Sequence, residues 1–173
     1  MAEFSWHSVA GPALRPAGRP QVAVILPQLL IGEYPNLGDA AWLQSAHGVT
    51  SVVCLQDDAD LAGKVLELPA LRQTYAARGI RFHHTPVPDG DLQAFAARLD
   101  AIVGLVGDLV GSGERVYVHC NAGMNRAPTV AIAYLHARGG FALEAARDLV
   151  KRRRPCVPYM QMLEAHYAGA RRS

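Results

Sequence analysis

The strand–loop–helix stretch Val116-Tyr-Val-His-Cys-Asn-Ala-Gly-Met-Asn-Arg-Ala-Pro128 constrains this chain more than any other. A short apolar strand, Arg115 to Val118, runs into Cys120, Arg126 follows, and a helix begins at once with Pro128 in its first turn, where the missing N–H costs little. A loop that tight, ending at a helix N-terminus, turns successive backbone N–H groups inward and forms an anion nest, to which the helix dipole adds. Cys120 at the start of the nest sits in a positive field that favours an anionic sulfur. Arg126 at its end offers a planar fork for two oxygens of a phosphate. Gly123 lets the backbone approach a ligand with no Cβ in the way. A single cysteine after a strand is usually a small hydrophobe, and a single arginine there a solvated cap. The joint occurrence of His, Cys, Gly and Arg in this setting favours the anion site.

The rest of the chain alternates strands and helices. Residues 1–20 hold Gly11, Pro12, Pro16, Gly18 and Pro20 and read as an extended arm, with one domain over 21–173. Val22–Leu26 and Leu29–Ile31, split by Pro27, read as a hairpin or bent edge. Asp39–His47 is a short helix closed by Gly48. Val49–Leu55 is a buried strand, and the acidic run Asp57, Asp58, Asp60 a turn and helix start, with no metal site. Leu66–Arg78 is helical and closed by Gly79, and Ile80–Thr85 is a strand. Leu92–Val110 is a long helix with Leu92, Phe95, Leu99, Ile102, Val106 and Leu109 on one stripe. Helices are predicted at Pro128–Arg138, Leu143–Arg153 and Tyr159–Tyr167. The pattern predicts an α/β fold: a mostly parallel sheet of four to five strands, covered by helices on both faces.

Half of the 173 residues are hydrophobic and the formal net charge is +2, so a buried core is expected and a nucleic-acid or anionic-membrane partner is not. Cys54, Cys120 and Cys156 are odd in number and widely spaced, which suggests neither a disulfide framework nor a zinc site. No leader-like or membrane-spanning run stands out. A cytoplasmic monomer is expected, without cofactor or metal.

The motif His119-Cys120-x-x-Gly123-x-x-Arg126 resembles the active-site loop of the protein-tyrosine-phosphatase superfamily, dual-specificity branch. The resemblance runs from about Ile25 to Tyr167 and takes in Leu29-Leu-Ile-Gly32, Val52-Val-Cys-Leu-Gln56 and Val87-Pro-Asp-Gly90. Within that branch, Cys120 to Pro128, Leu55-Gln-Asp-Asp-Ala-Asp-Leu61 and Arg154-Pro-Cys156 are similar to plant starch (glucan) phosphatases, with laforin more distant. The resemblance implies phosphomonoester hydrolysis in two steps through a phosphocysteine on Cys120. Arg126 and the backbone of Asn121, Ala122, Gly123, Met124 and Asn125 would hold the phosphate. The substrate is a phosphorylated protein or, alternatively, a phosphorylated glucan; a phosphate-binding pseudoenzyme is the remaining reading. Asn125 replaces the family's usual glycine, which a left-handed backbone would tolerate best in asparagine. Ala127 replaces the usual Ser or Thr, whose hydroxyl helps the thiolate leave.

The family also implies a general acid on a loop upstream, and Pro86-Val-Pro-Asp-Gly-Asp-Leu92 offers two. Asp89 lies between Pro88 and Gly90 and matches the family pattern, whereas Asp91 stands where the long helix needs an N-cap. Asp89 is therefore favoured. His119 is expected to support the loop by hydrogen bonding. His83 and His84 read as surface or core residues, and Arg152-Arg153-Arg154 as a run that meets a helix C-terminus. Cys54, at the end of its strand, resembles the resolving cysteine of related phosphatases and is a candidate redox partner of Cys120. Trp6, Tyr34, Trp42 and Tyr159 are candidate sugar platforms that sequence cannot place.

Overall fold

The computed structural model describes residues 18–170. Among them, five strands form: β1 (Val22–Leu26), β2 (Leu29–Gly32), β3 (Ser51–Cys54), β4 (Arg81–His84) and β5 (Val116–His119). The α-helices are α1 (Ala40–His47), α2 (Asp58–Gly63), α3 (Leu68–Ala76), α4 (Leu92–Gly111), α5 (Arg126–Ala137), α6 (Leu143–Arg153) and α7 (Met160–Ala170). The sheet order is β1-β2-β5-β3-β4. Only the β1–β2 hairpin is antiparallel; β2–β5, β5–β3 and β3–β4 are parallel. The ends of β3 and β5 therefore lie side by side, with Cys54 in register with His119.

Strand alternation divides the core in two. Ile25, Leu29, Ile31, Val53, Val116 and Val118 pack on one face with Phe95, Leu99 and Ile102 of α4 and Val130 and Ile132 of α5. Leu30, Val52 and Tyr117 pack on the other with Leu43 of α1, Leu61 of α2, and Leu71 and Tyr75 of α3. Helix α5 is buried from Arg126 to Leu135, and so rises through the core with the loop at its head.

The architecture agrees with the α/β expectation. One position on a predicted helix differs from it. Leu92, placed on the buried stripe of α4, is 40% exposed, while Val103 is buried in that helix. The arm expected over 1–20 lies outside the described residues up to 17; beyond it, Arg19 pairs with Asp39 at 3.0 Å. The acidic run opens α2, a helix separate from α3.

The break between these helices is a reversal of the Schellman kind. Leu66 N–H donates to Leu61 O and Val65 N–H to Ala62 O, which satisfies the last carbonyls of α2. That geometry puts Val65 at φ 54°, a left-handed conformation for an exposed β-branched residue. The left-handed region costs an L-residue about 1–2 kcal/mol. Val65→Gly is expected to raise unfolding stability by about 1 kcal/mol despite its greater unfolded-state entropy. Chemical denaturation should show the midpoint rising; an unchanged or lower midpoint would contradict the strain.

Candidate active site

The loop from Cys120 to Arg126 is held by its carbonyls. Cys120 O lies 3.2 Å from His119 Nδ1. Asn121 O accepts from Tyr34 N–H at 2.9 Å. Arg154 donates from Nη2 to Ala122 O at 2.7 Å and from Nε to Gly123 O at 2.8 Å. Met124 O accepts from Val157 N–H at 2.8 Å. Asn125 O accepts from both the N–H and the hydroxyl of Thr129. Among the described residues, no backbone N–H from Asn121 to Arg126 has a protein partner. Every carbonyl of the loop is thus fastened to the scaffold, and its amides are left to receive an anion. Gly123 takes φ +65°, and a Cβ there would stand 2.5 Å from Gly32 backbone atoms, so only glycine fits.

Cys120 opens this nest and is buried, with 3% exposure. Arg126 closes it with a side chain 2% exposed. Its Nη1 donates to Asp60 Oδ2 at 2.6 Å and to Val87 O at 2.8 Å. Its Nε lies 3.5 Å from Asp89 Oδ1. Burial opposes the charge on Arg126, but the Cys120 sulfur, Asp60 and Asp89 outweigh it and raise its pKa. Asp89 is 57% exposed and its Oδ1 accepts from the Tyr159 hydroxyl at 3.5 Å. Asp91 instead caps α4, accepting from Ala94 N–H at 2.9 Å. The two acid candidates thus separate, Asp89 beside the arginine and Asp91 in a cap.

Several participants were invisible in the sequence. Asp57 and Asp60 do form the capping box of α2, as a helix start requires. Asp60 also turns its carboxylate onto Arg126 and accepts from Asn121 Nδ2 at 2.5 Å. Burial would raise the Asp60 carboxyl, but Arg126's hydrogen bond and charge, with Asp57 N–H and Asn121, hold it below its ordinary value. Its ionised contacts therefore add stability above pH 3.8, a contribution lost as the pH falls further. Buried Gln56 donates to Asn121 Oδ1 at 2.7 Å, and His84 Nε2 lies 2.7 Å from Gln56 O. Of the basic run, Arg152 and Arg153 are exposed at the end of α6, but Arg154 departs from the expected role: it is buried and clamps the loop.

Asn125 has φ −118°, outside the left-handed region, so no glycine is needed there; its side chain donates to Val157 O at 2.7 Å. Ala127 is fully buried in the core. Cys54 is buried, which pushes its thiol up to about 12, and its sulfur lies 3.7 Å from Gln56 Oε1. Cys156 is buried, and burial raises its thiol too. Of the aromatic candidates, Tyr159 reaches Asp89, Tyr34 is buried, and Trp42 packs against His47 and Arg19; Trp6 lies outside the described residues. No described helix is long and apolar enough to cross a membrane.

Residues 31–166 match the family described as dual specificity phosphatase, catalytic domain. The phosphoglucan phosphatase DSP4, amyloplastic, of Castanea sativa is 29% identical over 144 residues, 82% of this chain and 38% of that protein. Dual specificity protein phosphatase 2 of Homo sapiens is 31% identical over 130 residues, 75% of this chain and 37% of its own length. The chain thus spans less than half the length of either relative. The crystal structure of Tk-PTP in the active form has the same fold, with a TM-score of 0.69 at 24% identity over 84% of this chain and 95% of that one. The matched region contains the loop, its clamp Arg154, Asp60 and Asp89, and the chain belongs to the dual-specificity phosphatase family.

Proposed function

We propose that this chain hydrolyses phosphomonoesters through a phosphocysteine on Cys120, as a dual-specificity protein phosphatase. The observation that carries this reading is the loop whose carbonyls are all fastened outward and whose amides, from Asn121 to Arg126, have no protein partner. Cys120 Sγ, as thiolate, attacks phosphorus; the bond to the ester oxygen breaks, and Asp89 gives that oxygen its proton. The amides and Arg126 stabilise the charge that builds on the three other oxygens. A water then attacks phosphorus, Asp89 takes its proton, and the sulfur leaves as thiolate. His119, against Cys120 O, steadies the start of the loop. Three catalytic groups together weigh against a binding-only role. The reading includes a monomer in the cytoplasm, where the nucleophile stays reduced.

A phosphoglucan substrate is the second reading, favoured by the similarity to the Castanea sativa phosphoglucan phosphatase. Tyr159, beside Asp89, is a ring at the mouth on which a sugar could stack. Turnover of a phosphotyrosine peptide, a phosphoserine peptide and phosphorylated amylopectin in parallel tests the choice: preference for the peptides upholds the protein reading, and preference for amylopectin replaces it. In the same assays Cys120→Ser should lose activity by more than about 10³-fold, and Arg126→Lys by about 10²- to 10³-fold. A Cys120→Ser variant near wild type would refute the chemistry.

Asp89→Asn should cost about 10²-fold on alkyl phosphates, whose leaving groups need a proton, and much less on a nitrophenyl ester. Asp91→Asn keeps an N-cap and should stay near wild type. The reverse result would move the acid to Asp91.

Oxidation is the remaining part of this reading. Cys54 is in register with His119, so strand spacing and rise place its Cα about 6 Å from that of Cys120, within reach of a disulfide. A sulfenic acid on Cys120 would condense with the Cys54 thiol and release water. The thiolate of Cys54 does the attacking, and with its pKa near 12 that form gains about tenfold per pH unit below this value. Peroxide inactivation should therefore be reversed by thiol reductant, more completely at pH 8.5 than at pH 6.5, and Cys54→Ser should abolish the recovery. Recovery equal in Cys54→Ser, or a Cys120–Cys156 link by mass spectrometry, would refute it.

A further inference from the structure

The guanidinium of Arg126 is spoken for on one side. Nη1 gives its hydrogens to Asp60 Oδ2 at 2.6 Å and Val87 O at 2.8 Å, with Leu55 O at 3.5 Å. That leaves the Nε–Nη2 edge to face the nest, and Asp89 stands against Nε on that same edge. The other oxygen of Asp60 accepts from Asn121 Nδ2 at 2.5 Å. One carboxylate thus ties the first amide residue of the loop to the last. Its side chain is 10% exposed, and both oxygens act only as acceptors.

The charge has the wrong sign for simple affinity. A carboxylate beside the phosphate site repels a dianion, and a buried ion pair adds little net stability over an apolar pair. What it does supply is direction, because a paired guanidinium can present its other edge at only one angle. We propose that Asp60 is a positioning residue: it sets the span of the loop and aims the Nε–Nη2 edge of Arg126 at the transferring phosphoryl group. The proposal rests on the phosphatase reading above. In Asp60→Asn the new amide must point a donor at either Arg126 or Asn121, both donors themselves, so the aim is lost while the shape is kept.

Steady-state kinetics on nitrophenyl phosphate, with inorganic phosphate as competitive inhibitor, test this. Asp60→Asn should lower kcat about 10- to 100-fold, because misaligned groups lose rate before they lose binding. The inhibition constant for phosphate should stay equal or tighten, since a repelling charge is gone. Asp57→Ala controls for the helix: Asp57 caps α2 at Asp60 N–H but does not touch Arg126. It should lower the melting temperature and leave kcat within about threefold of wild type. In an Arg126→Lys background, Asp60→Asn should add little further loss. If Asp60→Asn does not fold, Asp60→Glu carries the test, with the charge kept and the arm too long; a kcat loss above about tenfold is again expected. The proposal is overturned if the folded variant keeps kcat within about threefold of wild type, if phosphate affinity falls in step with kcat, or if Asp57→Ala loses as much. An inactive wild type would instead remove the phosphatase reading itself.

Discussion

A backbone that shows six amides to a ligand must hide six carbonyls, and a buried carbonyl without a donor costs about 1–3 kcal/mol. That constraint organises the molecule. The carbonyls from Cys120 to Asn125 are met by His119, Tyr34, Arg154, Val157 and Thr129, which come from the end of β5, the exit of β2, the end of α6, the segment before α7 and the first turns of α5. Arg154 meets two of them, and so α6 must end where it does. The exit of β2 must pass directly beneath, because Gly123 leaves no room for a Cβ above Gly32. The sheet order sets both flanks of the loop: β5 lies between β2 and β3, so Tyr34 past β2 reaches a loop carbonyl and Gln56 past β3 reaches the Asn121 side chain.

Two carboxylates meet one arginine here, and their surroundings assign them different work. Asp60 is 10% exposed and bonded through both oxygens, whereas Asp89 is 57% exposed, 3.5 Å from Arg126 and 3.5 Å from the Tyr159 hydroxyl. The acid and base work proposed for Asp89 needs slack and access to water. A group that must hold a direction needs the opposite. Residue type alone says nothing of this; burial and partners separate the roles.

That distinction marks what the sequence could reveal. The strand–loop–helix around Cys120 was legible because its pattern is local, with cysteine, glycine turn and arginine all within seven consecutive residues. The cap role of Asp91 was legible for the same reason, and so was the closure of α1 by Gly48. Asp60 is separated from Arg126 by 66 residues, and Arg154 lies 31 beyond Gly123. Neither approach leaves a trace in local periodicity. Asp60 satisfied a helix-start pattern and Arg154 a helix-end pattern, so each already had a sufficient local explanation. Leu92 failed in another way: helical spacing put it on the buried stripe, but the first turn of α4 borders an open surface pocket with Pro158 and Tyr159.

Helix α2 shows how the placing of Arg126 depends on a local device. Its six residues, Asp58 to Gly63, are too few to be stable by propensity, since isolated helices need roughly 12–15 residues even to be marginal. Three things hold it: the reciprocal caps of Asp57 and Asp60 at its start, burial of Leu61 at its centre, and the Schellman-type reversal at Val65. The start of the helix and the orientation of Arg126 therefore share one side chain. Asp60 Oδ2 accepts from Asp57 N–H at 3.1 Å and from Arg126 at 2.6 Å, so the cap fixes the oxygen against which the guanidinium is aligned. That oxygen adds to the hold given by Leu61 and by the reversal at Val65, and it stands where the carboxylate reaches both ends of the loop.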